Sequence, residues 1–136
     1  MRNALPPAVL LAAAVAWAAA PVEPRRFDAL DWKPVVSLPP GAEYALLHED
    51  PATHGVEALV RFPRSYEVPA HAHSHAERLL MVAGRLVVTS EGGESPLRPG
   101  DLLDLEAGTP HGFRTGFLRG AVFHVKTDKP FDVLKG

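Results

Sequence analysis

The segment Val68–Thr89, VPAHAHSHAERLLMVAGRLVVT, decides the fold class. It holds three short runs, Val68–His73, Arg78–Val82 and Leu86–Thr89, parted by a polar break before Glu77 and by Gly84. None keeps a 3.6-residue apolar period, and each has the length of a strand. The same pattern extends outward in both directions. Tyr44–His48 and Val56–Phe62 precede the segment, and Asp101–Leu105, Gly112–Thr115 and Leu118–Lys126 follow it. Gly92-Gly93, Gly100, Gly108 and Gly116 stand between runs, where turns call for positive φ. About eight short antiparallel strands predict an all-β single domain, a sandwich, barrel or jelly roll. No repeat or low-complexity tract interrupts the chain after residue 20.

The chain has 136 residues and a formal net charge of −2, with no run of like charge. Nothing in that balance attracts a polyanion, so nucleic acid is excluded as a partner. Residues 1–20 differ from the rest: 16 are apolar, nine of them Ala, and Arg2 is the only charge. Arg2, the apolar run Ala8–Ala16 and the small-x-small pattern Ala16-Trp17-Ala18 read as a secretory signal peptide. Cleavage is expected after Ala18, or after Ala20 if the pattern slips. The uncharged stretch is long enough to span a bilayer, but it is mostly Ala and is broken by Pro6-Pro7. A periplasmic or secreted protein is therefore expected, with no stable membrane insertion after cleavage. The mature chain then divides into a Pro-rich arm (19–43), a barrel (44–126) and a C-terminal tail (127–136). No Cys is present, which excludes disulfides and thiolate metal sites.

Four of the seven histidines fall in two places. Within Pro69–Glu77, an extended chain would send His71, His73 and His75 to one face, with Ala72, Ser74 and Ala76 on the other. Imidazoles two residues apart are close enough to converge on one ion, and Glu77 adds a carboxylate. His111 follows Thr109-Pro110, just past a Gly turn. This spacing favours a metal site over a solvated sheet edge.

These residues resemble the two sequence motifs of the cupins. His71-x-His73, three residues, Glu77, six residues and Gly84 match H-x-H-x3,4-E-x6-G. Gly100, five residues, Glu106-Ala107-Gly108, two residues and His111 match G-x5-P-x-G-x2-H-x3-N, with Glu106 in place of Pro and Thr115 in place of Asn. The resemblance covers about residues 40–126. It implies a double-stranded β-helix, or jelly-roll barrel, holding one divalent metal at its mouth through His71, His73, Glu77 and His111. Imidazole and carboxylate suit Fe, Mn, Zn, Ni or Cu, and neither Mg²⁺ nor Ca²⁺. His75 is a further candidate, either competing with Glu77 or contacting a substrate.

Two residues are candidates for catalysis. Arg61 on Val56–Phe62 would either reach the rim or clamp an anionic ligand inside the barrel. Glu106 at the mouth would be either a general base or a solvated loop carboxylate. His124 reads as a core residue or as one behind the ligands, Met81 as core filler, and His48 and His54 as surface residues. The resemblance points to a small metalloenzyme with dioxygenase-type chemistry on an oxygen-chelating molecule. A sugar-acid isomerase or lyase, and a non-catalytic metal- or small-molecule-binding protein, are the alternatives. The Pro-rich arm also offers a segment for exchange in a homodimer.

Overall fold

The computed structural model describes residues 19–135, so the predicted signal peptide, residues 1–18, lies outside the described residues. A short 3-10 turn, Phe27–Ala29, precedes the strands. These are β1 Lys33–Pro34, β2 Glu43–Glu49, β3 Val56–Phe62, β4 Glu67–Ala72, β5 Glu77–Gly84, β6 Leu86–Ser90, β7 Gly93–Leu97, β8 Leu102–Leu105, β9 His111–Arg114, β10 Ala121–Thr127 and β11 Leu134–Lys135. All pairings are antiparallel. One sheet runs β1-β2-β3-β10-β5-β8, the other β11-β4-β9-β6-β7, and together they form the expected jelly-roll barrel. Among the described residues no helix is long and apolar enough to cross a membrane.

Alternation along each strand builds the core. Ala58, Val60 and Phe62 of β3 point inward, as do Leu79 and Met81 of β5 and Phe123 and Val125 of β10. Val88 of β6 and Phe113 of β9 meet them from the other sheet. Phe62 stands edge-on to Phe123 at 5.1 Å, and the preferred geometry of such pairs adds to the area they bury. Met81 is core filler, as its position in the sequence suggests.

Three elements escape a periodicity reading. β7, Gly-Glu-Ser-Pro-Leu, lacks any apolar alternation. It forms because Glu91-Gly92 closes a two-residue hairpin, with Ser90 paired to Gly93. Pro96 is accepted because β7 is a sheet edge and its missing N–H faces no neighbour. β1 and β11 are two-residue edges, and they extend the barrel beyond residues 44–126: Lys33 pairs with Tyr44, and Leu134 with Ala72.

The barrel strands also place two singled-out residues outside. Arg61 alternates away from the core, donates from Nε to Glu43 Oε1 at 3.0 Å, and sets its guanidinium 4.1 Å from the Trp32 ring centroid. It clamps nothing in the barrel interior, because the inward positions of β3 are its flanking residues Val60 and Phe62. His124 is on the outer face of β10, with Nε2 3.5 Å from Glu57 Oε2, and is not a core residue. Arg61→Leu should leave affinity for any cavity ligand unchanged. Since the pair is over one-third exposed, its stability cost should stay within about 1 kcal/mol in thermal unfolding.

Candidate metal centre

The site begins with a change of parity in β4. Val68 pairs with Phe113 and His71 with His111, so three steps on β4 oppose two on β9. This is a β-bulge at Pro69–Ala70, and it leaves both residues exposed while turning Val68 and His71 inward together. Pro69 suits the bulge because it has no N–H to leave unpaired. Gly112 opposite is required by close approach: a Cβ there would lie 2.8 Å from Val68 O and 2.8 Å from Thr89 Oγ1.

β4 ends at Ala72, and the chain bends at Ser74-His75 before β5 starts at Glu77. His73 keeps its inward direction and is buried, but His75 is carried out to solvent by the bend. The single face expected for His71, His73 and His75 therefore stops at His73. The backbone of the Glu106–Thr109 turn secures this corner, with Gly108 N donating to His73 O at 2.8 Å. The Glu106 side chain itself is exposed to solvent and does not line the cavity described below. Thr115 ties β9 to the segment before β4, because its hydroxyl donates to Pro63 O at 2.6 Å and accepts from Tyr66 N at 3.0 Å.

His71, His73 and His111 offer ring nitrogens that all lie within 4.8 Å of one another, and the three can hold a metal ion. Each Nδ1 is committed to a backbone carbonyl. His71 donates to Pro69 O at 2.9 Å, His111 to Thr109 O at 2.9 Å, and His73 to Asp132 O. A carbonyl only accepts, so each Nδ1 carries hydrogen and each Nε2 is left with its lone pair, as a metal ligand requires. Glu77, also buried, has Oε2 3.4 Å from His73 Nε2.

The electrostatics fit a cation. Burial lowers His71 and pushes His111 down to about 4, so both imidazoles are neutral at pH 7. Burial pushes Glu77 up to about 7. Among the described residues, the buried side-chain polar atoms without a hydrogen-bond partner are Glu77 Oε2 and His111 Nε2. An unpaired buried group costs about 1–3 kcal/mol, which a bound cation would offset. A cation held by Glu77 as well as by the imidazoles would bind with a pH dependence set by Glu77. Below pH 7 it would have to expel the proton that carboxyl then holds, whereas His111 is already neutral. Affinity should therefore fall about tenfold per pH unit on descending from 7 towards 5, and level off above 7. Metal titrations across that range check this, and Glu77→Gln should remove Glu77's contribution to the slope.

From the imidazoles a cavity of about 680 Å³ opens through the barrel, walled by Val60, Phe62, Phe113, Phe123, Val125 and Phe131. The C-terminal tail, given no role by the sequence pattern, closes one side of it. The Phe131 ring lies 5.2 Å from that of His73, and Asp132 Oδ1 accepts from Ser74 N at 2.8 Å. No periodicity marks Phe131-Asp132. Tertiary contacts bring the tail to the site: the pairing of Leu134 and Lys135 with Ala72 and His71, and the bonds of Asp132 to His73 and Ser74.

Comparisons with known proteins agree with this geometry. The cupin domain family matches residues 58–128. The structure is similar to the polyketide cyclase RemF from Streptomyces resistomycificus, with a TM-score of 0.68, 18% identity and 84% of each chain covered. It is also similar to a putative acetylacetone dioxygenase from Methylibium petroleiphilum PM1, with a TM-score of 0.66, 19% identity, and 88% of this chain and 85% of that one covered. KdgF from Halomonas sp. gives a TM-score of 0.62 and 24% identity, covering 76% of this chain and 93% of the other. A search of curated proteins gave no match. With both motifs read in the sequence, the barrel seen in the structure and the family matched over half its length, this chain belongs to the cupins.

Proposed function

We propose that the protein is a mononuclear transition-metal enzyme acting on a small, apolar-bodied substrate that presents two adjacent oxygens. The carrying observation is the pair of orphaned buried atoms, Glu77 Oε2 and His111 Nε2, beside His71 and His73, which with Glu77 line an apolar cavity. Three imidazoles and a carboxylate would hold Fe, Mn, Zn, Ni or Cu. The bound metal would supply Lewis acidity or dioxygen chemistry. The protein's own residues do the rest. Backbone carbonyls of Pro69, Thr109 and Asp132 hold the rings in one tautomer, and the Phe-rich wall excludes water from the ligand's body. A β-dicarbonyl or catechol-like compound has the required oxygen pair, and the name of one structural relative, a putative acetylacetone dioxygenase, supports the first of these. The outward position of Arg61 and the apolar walls favour such a molecule over a sugar acid.

Elemental analysis of the protein purified without added metal, followed by oxygen uptake with acetylacetone and catechol, tests the reading. One equivalent of Fe or Mn with substrate-dependent uptake supports an oxygenase. One equivalent of Zn, Cu or Ni with no uptake overturns it in favour of a binding or isomerase role. Export belongs to the same proposal, on the strength of Arg2 and Ala8–Ala18. A periplasmic form beginning at Ala19, found by mass spectrometry, supports it, and a full-length cytoplasmic form overturns it.

A further inference from the structure

The mouth of the cavity carries a second polar pair that the metal centre does not use. Along β2, Leu46 pairs with Ala58 and His48 with Glu57, so Leu47 is an extra residue. Tyr44 and Leu46 line the cavity, and strict alternation would send His48 inward next and Glu49 out. The bulge at Leu47 reverses that parity, and Glu49, opposite Val56, lines the cavity instead.

The loop that follows closes on itself. Asp50 N donates to Gly55 O at 2.9 Å and His54 N to Asp50 O at 2.8 Å. Ala52 N and Thr53 N both donate to Asp50 Oδ1, at 2.8 and 2.9 Å. This frame holds His54 at φ 59, in the left-handed region that residues with a β-carbon seldom occupy. In that conformation His54 Nδ1 lies 2.9 Å from Glu49 Oε1, and both side chains line the cavity. A carboxylate only accepts, so Nδ1 carries the hydrogen, and in the neutral imidazole Nε2 is left to accept from a ligand. An exposed ion pair alone calls for neither a bulge nor a left-handed histidine.

Sheet register places this pair relative to the metal centre. Glu49 pairs with Val56, Val56 N donates to Thr127 Oγ1 at 3.1 Å, and Thr127 pairs with Glu77. Glu49 and Glu77 thus lie at one end of one sheet, three strand spacings apart, or about 14 Å measured along it. We propose that Glu49–His54 is a second ligand subsite, which accepts a hydrogen bond from a hydroxyl at the far end of a ligand chelated at the histidine triad. This rests on the chelation reading above and narrows the substrate class. The ligand is flat and apolar, nearer three fused rings than one, with adjacent oxygens at one end and a hydroxyl at the other.

Two probes differing only in that hydroxyl test it: 1,2-dihydroxyanthraquinone and 1,2,6-trihydroxyanthraquinone, titrated by absorbance into the zinc-loaded full chain. The wild type should bind the trihydroxy compound about tenfold more tightly, the value of one added hydrogen bond. His54→Asn, which tolerates the left-handed backbone but is too short to reach, should bind the two probes alike. Glu49→Ala, which frees the imidazole to turn, should also lose most of the preference. Equal binding of the two probes by the wild type, with both dependent on zinc, overturns the subsite alone. Binding of neither probe, or binding that survives zinc removal and His111→Ala, overturns the chelation reading and the subsite with it.

Discussion

His111→Ala should abolish stoichiometric metal binding while leaving the barrel folded. His111 is 2% exposed, and its Nε2 has no hydrogen-bond partner, so its value lies in the ion it meets. Removing groups that merely orient a metal ligand costs about 10–100-fold in affinity, and removing a ligand itself should cost more than about 100-fold. The metal-free variant should lose some stability, because it gives up the ring contacts with Phe113 and the Nδ1 hydrogen bond to Thr109 O, offset only in part by losing an unsatisfied buried nitrogen. Metal supplied at 100 times its dissociation constant should stabilise the wild type by about 2.7 kcal/mol and the variant hardly at all. Paired melting curves with and without Zn²⁺ or Mn²⁺ measure this. Equal stabilisation of both proteins would place the ion elsewhere.

Gly84→Ala should have the largest effect on stability and none on metal stoichiometry. Gly84 ends β5 at φ 75, where any L-residue is strained by about 1–2 kcal/mol. A Cβ there would also lie 2.1 Å from Gly120 O, the carbonyl that accepts from Arg85 N at 3.1 Å. The backbone must shift to admit it, and forced packing of this kind costs about 1–3 kcal/mol more. A loss of about 3 kcal/mol should lower Tm by roughly 10 °C or more, as seen by calorimetry. A fall of under about 3 °C would show that the β5–β6 turn yields freely. Gly84 closes the first motif seven residues beyond Glu77, so the motif joins a site residue to a purely structural one.

The candidate site is unevenly legible in the sequence. His71, His73, Glu77 and His111 can be picked out as candidate ligands because metal ligation limits both residue type and spacing, and such limits survive in a linear pattern. His75 joins them only if strict alternation is extended past Ala72, where the strand in fact ends. Arg61 and Glu106 can be weighed by type alone. Their surroundings, Glu43 and Trp32 for one and open solvent for the other, lie at distances or exposures that no spacing encodes. His54 reads as a surface residue, and it is exposed. That it also lines the cavity depends on a bulge and a left-handed backbone, both of which defeat a two-residue count.

What this sequence determined by itself is whatever local chemistry and period dictate. Short apolar runs punctuated by glycine made the all-β barrel, and two ordered motifs marked the candidate metal ligands and the family. What only the tertiary structure decided is parity and neighbourhood. Each β-bulge adds one residue and exchanges the two faces of its strand, so Val68 and His71 point the same way, and Leu46 and Glu49 do too. The tail and the Pro-rich arm reach the barrel through strand pairings and side-chain contacts, several of them to residues distant in sequence. Hence Phe131 and Lys33 line the cavity and Asp132 holds His73, although nothing near them in sequence says so. The physical reason is that side-chain direction accumulates along a strand, so one inserted residue changes every position after it.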